Sequence, residues 1–347
     1  MRSAALVALA LSLAGCGGQA VWRPQQAADS ALARYRWPPP PEQPRIALVA
    51  LWQLEPVLAE RRGFGARVLD VIAGGVGWRD RQDSLYLPAG VAVADDRTMV
   101  VTDARRAAAV LFRADERPRE LQPRGARLLG PVGVAVAPGG AFFIVDGAGG
   151  RIFRFTATGG MQPFADSVPW ARPVGVAVDS ARGRVVVVDA DGHVVRVLGL
   201  DGRLQFTIGR RGARPGEFNY PTFVAIGPGG EIIIVDTMNF RVQVFDASGV
   251  FLRAFGSPGD AAGHFAAPKG ICADGEGRLF IADARFSAMH VYDLEGRLLF
   301  ALGRFGSAPD EFALPTGVAC DGSGHVYVAD TWNHRVSVFR VWPSTGG

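Results

Sequence analysis

Six aspartates recur at nearly equal spacing along the chain, and a ring of carboxylates could bind a divalent cation. Successive members of the set are 43 or 47 residues apart. Each one ends an apolar run and precedes a turn, where its oxygens can instead accept backbone N–H bonds. Because the residue recurs in every copy, the pattern favours this structural role over one asymmetric metal site, and we expect no metal or other cofactor. The six are Asp103, Asp146, Asp189, Asp236, Asp283 and Asp330.

Histidines, the usual nitrogen ligands of zinc, show no such regularity. The five in the chain occupy different positions relative to the aspartates, so symmetry does not bring them to one ion. We also find no phosphate-binding glycine loop, no serine elbow and no basic helix suited to a nucleic-acid groove. The sequence therefore favours a protein that is not an enzyme and does not bind nucleic acid. The histidines are His193, His264, His290, His325 and His334.

Two of the three cysteines, Cys272 and Cys320, lie in successive copies of one sequence pattern. They stand four and five residues after the proline that begins each copy. Adjacent positions of a strand point to opposite faces of its sheet. We therefore predict buried free thiols here and not a disulfide.

The third cysteine follows a short secretion-type leader. After Met1-Arg2-Ser3 the apolar run 4–14 is too short to span a membrane, which takes about 20 residues. The run ends in Leu13-Ala14-Gly15-Cys16, which resembles the bacterial lipobox. The resemblance implies that residues 1–15 are a signal peptide and that Cys16 carries the lipid chains, palmitate among them. Two or more chains suffice for a stable anchor, and Gly17 in place of aspartate favours the outer membrane.

Residues 16–44 read as a tether between that anchor and a folded body. Four consecutive prolines, 38–41, and Pro44 favour the extended polyproline II helix. The alternative is a docking site for a proline-binding domain.

The rest of the chain is an internal repeat. Its 45 glycines among 347 residues are roughly twice the usual ~7%, as expected of many short strands and turns. Each copy contains two apolar strands, an alternating third strand and a fourth strand. Four antiparallel strands per copy predict an all-β fold, a six-bladed β-propeller in one domain over 45–347. The cores of the copies are Pro88–Asp103, Pro131–Asp146, Pro173–Asp189, Pro221–Asp236, Pro268–Asp283 and Pro315–Asp330.

The last copy lacks an outer strand, because only eight residues follow Phe339. Residues 45–52 form a strand pattern that belongs to no copy. We predict that they supply the missing strand and close the ring, which removes the exposed sheet edges. Residues 56–73 are predicted to form a short helical segment that caps one face.

The copies resemble the NHL repeat over 88–339. The resemblance rests on Thr237-Met238-Asn239-Phe240-Arg241-Val242 and Thr331-Trp332-Asn333-His334-Arg335-Val336, and it is weaker in the first three copies. Enzymes that resemble the peptidylamidoglycolate lyases carry zinc-binding histidines directly after the first proline of a copy. In this chain those positions hold no histidine. They are Ala89, Val132, Val174, Thr222, Lys269 and Thr316.

Four residues are predicted at the mouth of the central channel: Thr222, Phe223, Lys269 and Thr316. Phe223 stands where the other copies have glycine, and it is expected to line or partly plug the channel. Lys269 is the only lysine and could act as a lone cation or as a Schiff-base amine. With no visible partner to lower its pKa, we predict no catalytic role for it.

The leading hypothesis is a monomeric, non-enzymatic, lipid-anchored propeller that binds an envelope or extracellular protein. The net charge of +4 is weak evidence for any charged partner. Exposed aromatic and arginine side chains after the second strands would form the binding face. The alternative is a lactonase-like or lyase-like hydrolase with a divalent metal in the channel. The candidate binding residues are Arg105, Arg106, Met238, Phe240, Arg285, Phe286 and Trp332.

Overall fold

A computed structural model describes residues 32, 34–38, 43, 45–53, 85–94, 98–114 and 116–343. The predicted signal peptide, Cys16 and the predicted helical segment at 56–73 lie outside the described residues. Within these ranges no helix is long and apolar enough to cross a membrane.

The described chain is almost entirely β-structure, arranged as six antiparallel sheets in a ring. Two N-terminal strands are β1 (Arg36–Trp37) and β2 (Ile46–Gln53). Blade one contains β3 (Pro88–Ala94), β4 (Thr98–Asp103), β5 (Ala108–Arg113) and β6 (Arg119–Leu121). Blade two contains β7 (Pro131–Ala137), β8 (Ala141–Asp146), β9 (Arg151–Thr156) and β10 (Gly160–Phe164). Blade three contains β11 (Pro173–Asp179), β12 (Arg184–Asp189), β13 (Val194–Gly199) and β14 (Leu204–Ile208).

The second half of the ring follows the same plan. Blade four contains β15 (Val224–Ile226), β16 (Ile232–Asp236), β17 (Arg241–Phe245) and β18 (Phe251–Phe255). Blade five contains β19 (Pro268–Ala273), β20 (Leu279–Asp283), β21 (Ala288–Tyr292) and β22 (Leu298–Leu302). Blade six contains β23 (Pro315–Cys320), β24 (His325–Asp330) and β25 (Arg335–Val341). The described residues also contain the short 3-10 turns Pro138–Gly140, Thr237–Asn239 and Thr331–Asn333. The predicted six-bladed propeller is confirmed.

The core lies between blades, which explains the residue types of the strands. The second strand of a blade is covered on both faces, and every residue of β16 is buried. β-Branched residues suit such a strand because they pack well on a pleated surface. The outer strand β18 alternates between half-buried and exposed residues, as expected of a strand with one face towards water. Each blade thus buries its faces against its two neighbours.

The first strands of neighbouring blades approach closely around the axis. A Cβ added to Gly317 would lie 2.5 Å from the Ala89 carbonyl oxygen, and one on Gly90 would collide with the Val132 carbonyl. Glycine is required here because no side chain fits between the backbones. In blade four Phe223 takes this place; it is half-buried and packs against the core between blades four and five. The first strand of that blade, β15, has only three residues.

The ring is closed by the predicted N-terminal strand. β2 pairs with β25 in antiparallel register, from Ile46 opposite Val341 to Gln53 opposite Arg335. β1 then adds a fifth strand to the same sheet, and the Trp37 ring lies 6.0 Å from that of Phe339. Contacts with the propeller therefore begin inside the segment that the sequence assigns to the tether.

Cys272 and Cys320 form a disulfide, with Cα atoms 5.7 Å apart, so the prediction of free thiols is wrong. The alternation of side chains between two faces relates residues within one sheet, but these two strands lie in different sheets. They belong to blades five and six, which stack face to face. Equivalent positions of two stacked blades point in the same direction around the ring, so a shift of one residue turns the second side chain back towards the first. The offset in sequence is what brings the two sulfurs together.

Candidate functional site

The six repeated aspartates lie on one face of the ring, where each second strand ends; we call this the aspartate face. In blade one the Asp103 carboxylate accepts N–H bonds from Tyr86 (2.6 Å), Leu87 (3.1 Å) and Arg106 (3.0 Å). In blade five Asp283 likewise accepts bonds from Ala266 and Ala267 before the first strand, and from Phe286 in the following turn. Each aspartate thus ties the connector that enters its blade to the turn after its second strand.

In blades four and six, which have the strongest repeat signature, asparagine and arginine side chains also bind the aspartate and the connector. The Asn333 amide bridges Asp330 Oδ2 (2.8 Å) and the Gly306 carbonyl (2.9 Å). The Arg335 guanidinium donates to Asp330 at 2.8 Å and to the carbonyl of Glu311 at 2.6 Å. In blade four Asn239 and Arg241 make the same contacts. The characteristic asparagine and arginine of the repeat are therefore clamps for the connector.

The surroundings of these carboxylates differ in their effect on ionisation. Burial disfavours the charged form of Asp189, but N–H bonds from Arg172 and Ala171 and the Arg196 guanidinium hold its pKa below the ordinary value. For Asp330 burial dominates and raises the pKa, although Ala313, Asn333 and Arg335 all donate to it. Among the described residues no three His, Cys, Asp or Glu side chains lie close enough together to hold a metal ion.

The turns after the aspartates share a backbone conformation that the sequence did not reveal. The fourth residue after each aspartate has a positive φ, between 51° and 60°, in all six blades. Only one of the six is glycine, so the usual signal for this conformation is missing. The bend leaves the second residue after each aspartate at the apex. The apex residues are Arg105, Ala148, Asp191, Met238, Arg285 and Trp332, and all are exposed.

The predicted binding residues divide according to this geometry. Arg105, Met238, Arg285 and Trp332 are apex residues; Met238 is 51% exposed and Trp332 is 57% exposed. The other three are not free on the surface, which corrects the prediction. The Arg106 side chain is only 7% exposed and pairs with Glu120 at 3.2 Å. Phe240 is half-buried against the core between blades four and five, and Phe286 stacks on His290 at 6.0 Å.

Sequence reasoning also missed exposed apolar side chains on the connectors. Leu129 and Phe305 are 65% and 72% exposed, and Tyr220 is 39% exposed. Tyr220 follows Asn219, whose carbonyl accepts the Met238 N–H at 3.1 Å, so it lies beside an apex residue. These connectors carry no periodic pattern, and their exposure depends on how each chain segment crosses the face.

Two connectors are held by ion clusters. Arg214 and Arg210 contact the Glu217 carboxylate at 2.9 and 3.1 Å, and Arg304 contacts Glu311 at 2.9 Å. In both connectors the glutamate also accepts a backbone N–H bond from a residue three positions earlier, Arg214 or Ala308.

The Glu217 carboxyl is expected to titrate with a pKa of about 2, against an ordinary 4.5, chiefly because the Arg214 side chain and N–H bond its ionised form. A folded-state pKa below the unfolded value means that the stabilisation is complete above the unfolded pKa. It is lost as the pH falls through the folded pKa. A carbon NMR titration of the side-chain carboxyl measures this directly. Arg214→Gln should move the pKa back towards 4.5, and an unchanged titration in that variant would contradict the assignment; Glu311 is the internal control.

Among the six equivalent positions at the channel mouth on the aspartate face, all of them described, one carries a charged side chain. Thr222 and Thr316 pair with Thr237 and Thr331 at 2.7 and 2.8 Å. Thr331 also donates to the Pro88 carbonyl of the next blade at 2.8 Å. Lys269 takes the same position in blade five and is half-buried.

Comparison with known proteins agrees with this geometry. Ring, blade number and strand order define a six-bladed β-propeller. Two segments, 218–245 and 312–339, match the NHL repeat family model. The chain is thus a propeller that carries NHL repeats, and the two matches are the blades with the asparagine and arginine clamps. No curated protein is significantly similar in sequence.

Among solved structures the chain is similar to propellers of several kinds. A streptogramin B lyase has 14% identity and a TM-score of 0.58, with 75% of this chain and 95% of that chain covered. A virginiamycin B lyase from Staphylococcus aureus has 15% identity and a TM-score of 0.57, with 76% and 97% covered. A gluconolactonase from Xanthomonas campestris has 18% identity and a TM-score of 0.59, with 75% and 88% covered. At such identities the likeness concerns the fold alone.

Proposed function

We propose that this protein is a non-enzymatic, lipid-anchored propeller of the bacterial envelope that binds another protein through its aspartate face. The observation that carries the proposal is the set of exposed apex residues, Arg105, Met238, Arg285 and Trp332. Arginine and tryptophan are enriched in binding hot spots, and methionine and arginine in interfaces. The apex positions are fixed by tied turns, so a partner would meet a rigid surface.

The envelope location has two supports. The lipobox resemblance at 13–16 comes from the sequence. The Cys272–Cys320 disulfide is the second, because disulfides persist in exported proteins and are rare in the cytosol.

The second candidate is a lyase or lactonase-like enzyme with a divalent ion in the channel. It is favoured by the fold neighbours that are described as lyases and as a gluconolactonase. The enzyme alternative is weakened because the oxygens of the repeated aspartates already accept hydrogen bonds from backbone N–H groups. Metal analysis of the purified protein separates the candidates, since the enzyme requires a stoichiometric divalent ion whose removal by a chelator changes ligand binding.

The double variant Met238→Ser, Trp332→Ser is expected to lose the partner that the wild-type protein recovers from detergent-solubilised envelopes. Loss of a hot-spot contact of about 2 kcal/mol weakens binding about 30-fold. The readout is quantitative pull-down with mass spectrometry of the recovered proteins.

The matched control is Leu252→Ser, Leu299→Ser, which removes side chains of comparable exposure from the outer strands β18 and β22. It should leave the recovery unchanged. Equal recovery by wild type and the apex variant, or equal loss in both variants, would count against the aspartate face as the binding surface.

A further inference from the structure

Lys269 lies where the first strands open onto the aspartate face. It is the second residue of β19 and follows Pro268, which pairs with Asp283 at the end of β20. The backbones crowd at this level, since a Cβ on the adjacent Gly270 would lie 2.7 Å from the Val318 nitrogen of blade six. Lys269 is therefore a half-buried residue on a crowded rim and does not lie on an open surface.

The equivalent polar positions in the neighbouring blades satisfy one another, and blade five breaks this arrangement. Thr222 pairs with Thr237, and Thr316 pairs with Thr331. In blade five the two corresponding positions are Lys269 and Ala284, and the alanine side chain offers no acceptor. In the part of the chain that the structure describes, the Lys269 side chain has no ion pair and no hydrogen bond.

The nearby charges do not neutralise it. Arg172, which lies in the connector that enters blade three, acts on Lys269 as a like charge, and its Nε pairs with Asp191 at 2.8 Å. Asp283 is fully buried and accepts bonds from four backbone N–H groups. Burial and the Arg172 charge lower the pKa of the Lys269 amine, and Asp283 offsets this only in part. A half-buried cation without a partner is unfavourable, because it has lost part of its hydration and gained no compensating bond.

We propose that Lys269 anchors a binding site for a carboxylate at the rim of the channel on the aspartate face. One free ammonium matches one negative charge, and charge-assisted bonds of this kind are among the stronger ones. A doubly charged phosphate would call for a second cation at this level, and the other five equivalent positions carry none. The other residues at this level are neutral: Ala89, Val132, Val174, Thr222 and Thr316.

A carboxylate for this site could come from two sources, a free organic acid or the C-terminus of a peptide. Both present the same planar group with one negative charge. The site does not depend on the lipid anchor or on the apex residues, and its test uses small carboxylates, so it can fail or succeed independently of the proposed function.

The single lysine makes the test direct. Reductive methylation with a carbon-13 label gives one lysine signal, and dimethyl-lysine keeps its positive charge. The protein is purified in detergent from the cells that make it and titrated with acetate, N-acetylalanine, N-acetylalanine amide and inorganic phosphate. We expect a saturable shift of the signal with acetate or N-acetylalanine and no shift with the amide.

The outcomes separate the sources. Tighter binding of N-acetylalanine than of acetate indicates a peptide C-terminus, and the reverse order indicates a small acid. Shifts that stay linear in concentration, that are equal for the amide, or that are strongest for phosphate would overturn the proposal.

Two variants complete the test in unlabelled protein. Lys269→Met should bind the preferred carboxylate about tenfold more weakly or worse by calorimetry, because a bond to a charged group is lost. Lys269→Arg should retain binding. Without ligand the methionine variant should unfold at a temperature no lower than wild type, which shows that it folds, and the carboxylate should raise the unfolding temperature of wild type only. Equal binding by wild type and the methionine variant would refute the site.

Discussion

Reduction of the Cys272–Cys320 disulfide is expected to lower the free energy of unfolding by about 4 kcal/mol. The bond joins residues 48 positions apart. In the chain-entropy account, a cross-link of this span restricts the unfolded chain considerably. The bond also joins blades five and six, and blade six is where the two ends of the chain meet. Chemical denaturation with and without a reductant measures the effect.

The double variant Cys272→Ala, Cys320→Ala is the matched control. It should unfold at a lower denaturant concentration than the oxidised wild type and should not respond to the reductant. A wild-type protein whose denaturation midpoint is the same in both conditions would show that the bond contributes nothing. Thiol titration of the denatured protein supplies a separate check, since reduction must release two further thiols.

Replacement of Arg335 by methionine is expected to destabilise the protein by about 3–5 kcal/mol. The side chains of Arg335 and Asp330 are 2% and 0% exposed, and their nitrogen and oxygen atoms lie 2.8 Å apart. The guanidinium also donates to the carbonyls of Ser307, Ala308 and Glu311. The substitution removes the guanidinium from a fully buried carboxylate, which keeps only its bonds from the Ala313 N–H and the Asn333 amide, and it leaves three connector carbonyls without this donor. Thermal or chemical unfolding followed by circular dichroism gives the change.

Two further arginines show how the loss of stability should depend on the burial of the side chain. Arg241 bonds Asp236 and the carbonyls of Arg214 and Glu217 in blade four, and its side chain is 15% exposed, so Arg241→Met should cost less than Arg335→Met. Arg297 pairs with Asp293 on an exposed turn with 75% of its side chain accessible, and Arg297→Met should change stability little. A methionine at 335 that is as well tolerated as one at 297 would contradict the clamp.

The same clamp explains why only two blades match the NHL repeat model. The first three blades tie their connectors with the aspartate and backbone N–H groups, as Asp146 does with Leu129, Gly130 and Gly149. Blades four and six use asparagine and arginine side chains for part of this work. The asparagine and arginine of the signature are thus one of two ways of holding the same turn. Blades that lack these side chains keep the same geometry.

The sequence by itself determined the number of blades, the strand order within them and the closing strand. These features depend on local patterns: the 43- or 47-residue period, the apolar second strands and the glycines near the axis. The pairing of residues 45–52 with the last blade follows from a strand count, because one strand was missing at one end and one was left over at the other; the structure adds the register, with Ile46 opposite Val341. Such arithmetic needs no knowledge of how the blades stack.

Only the tertiary structure decided the features that depend on stacking between blades and on backbone conformation. Cys272 meets Cys320 because neighbouring blades face each other, which reverses the alternation rule. Arg106, Phe240 and Phe286 turn inward and Met238 and Trp332 outward, because a positive φ sets the apex of each turn without glycine to announce it. Arg36 and Trp37 join blade six because an open sheet edge and the Phe339 ring lie beside them. The disulfide partner and the Phe339 ring lie far away in sequence, and five of the six positive-φ positions carry no glycine, so local patterns do not record these features.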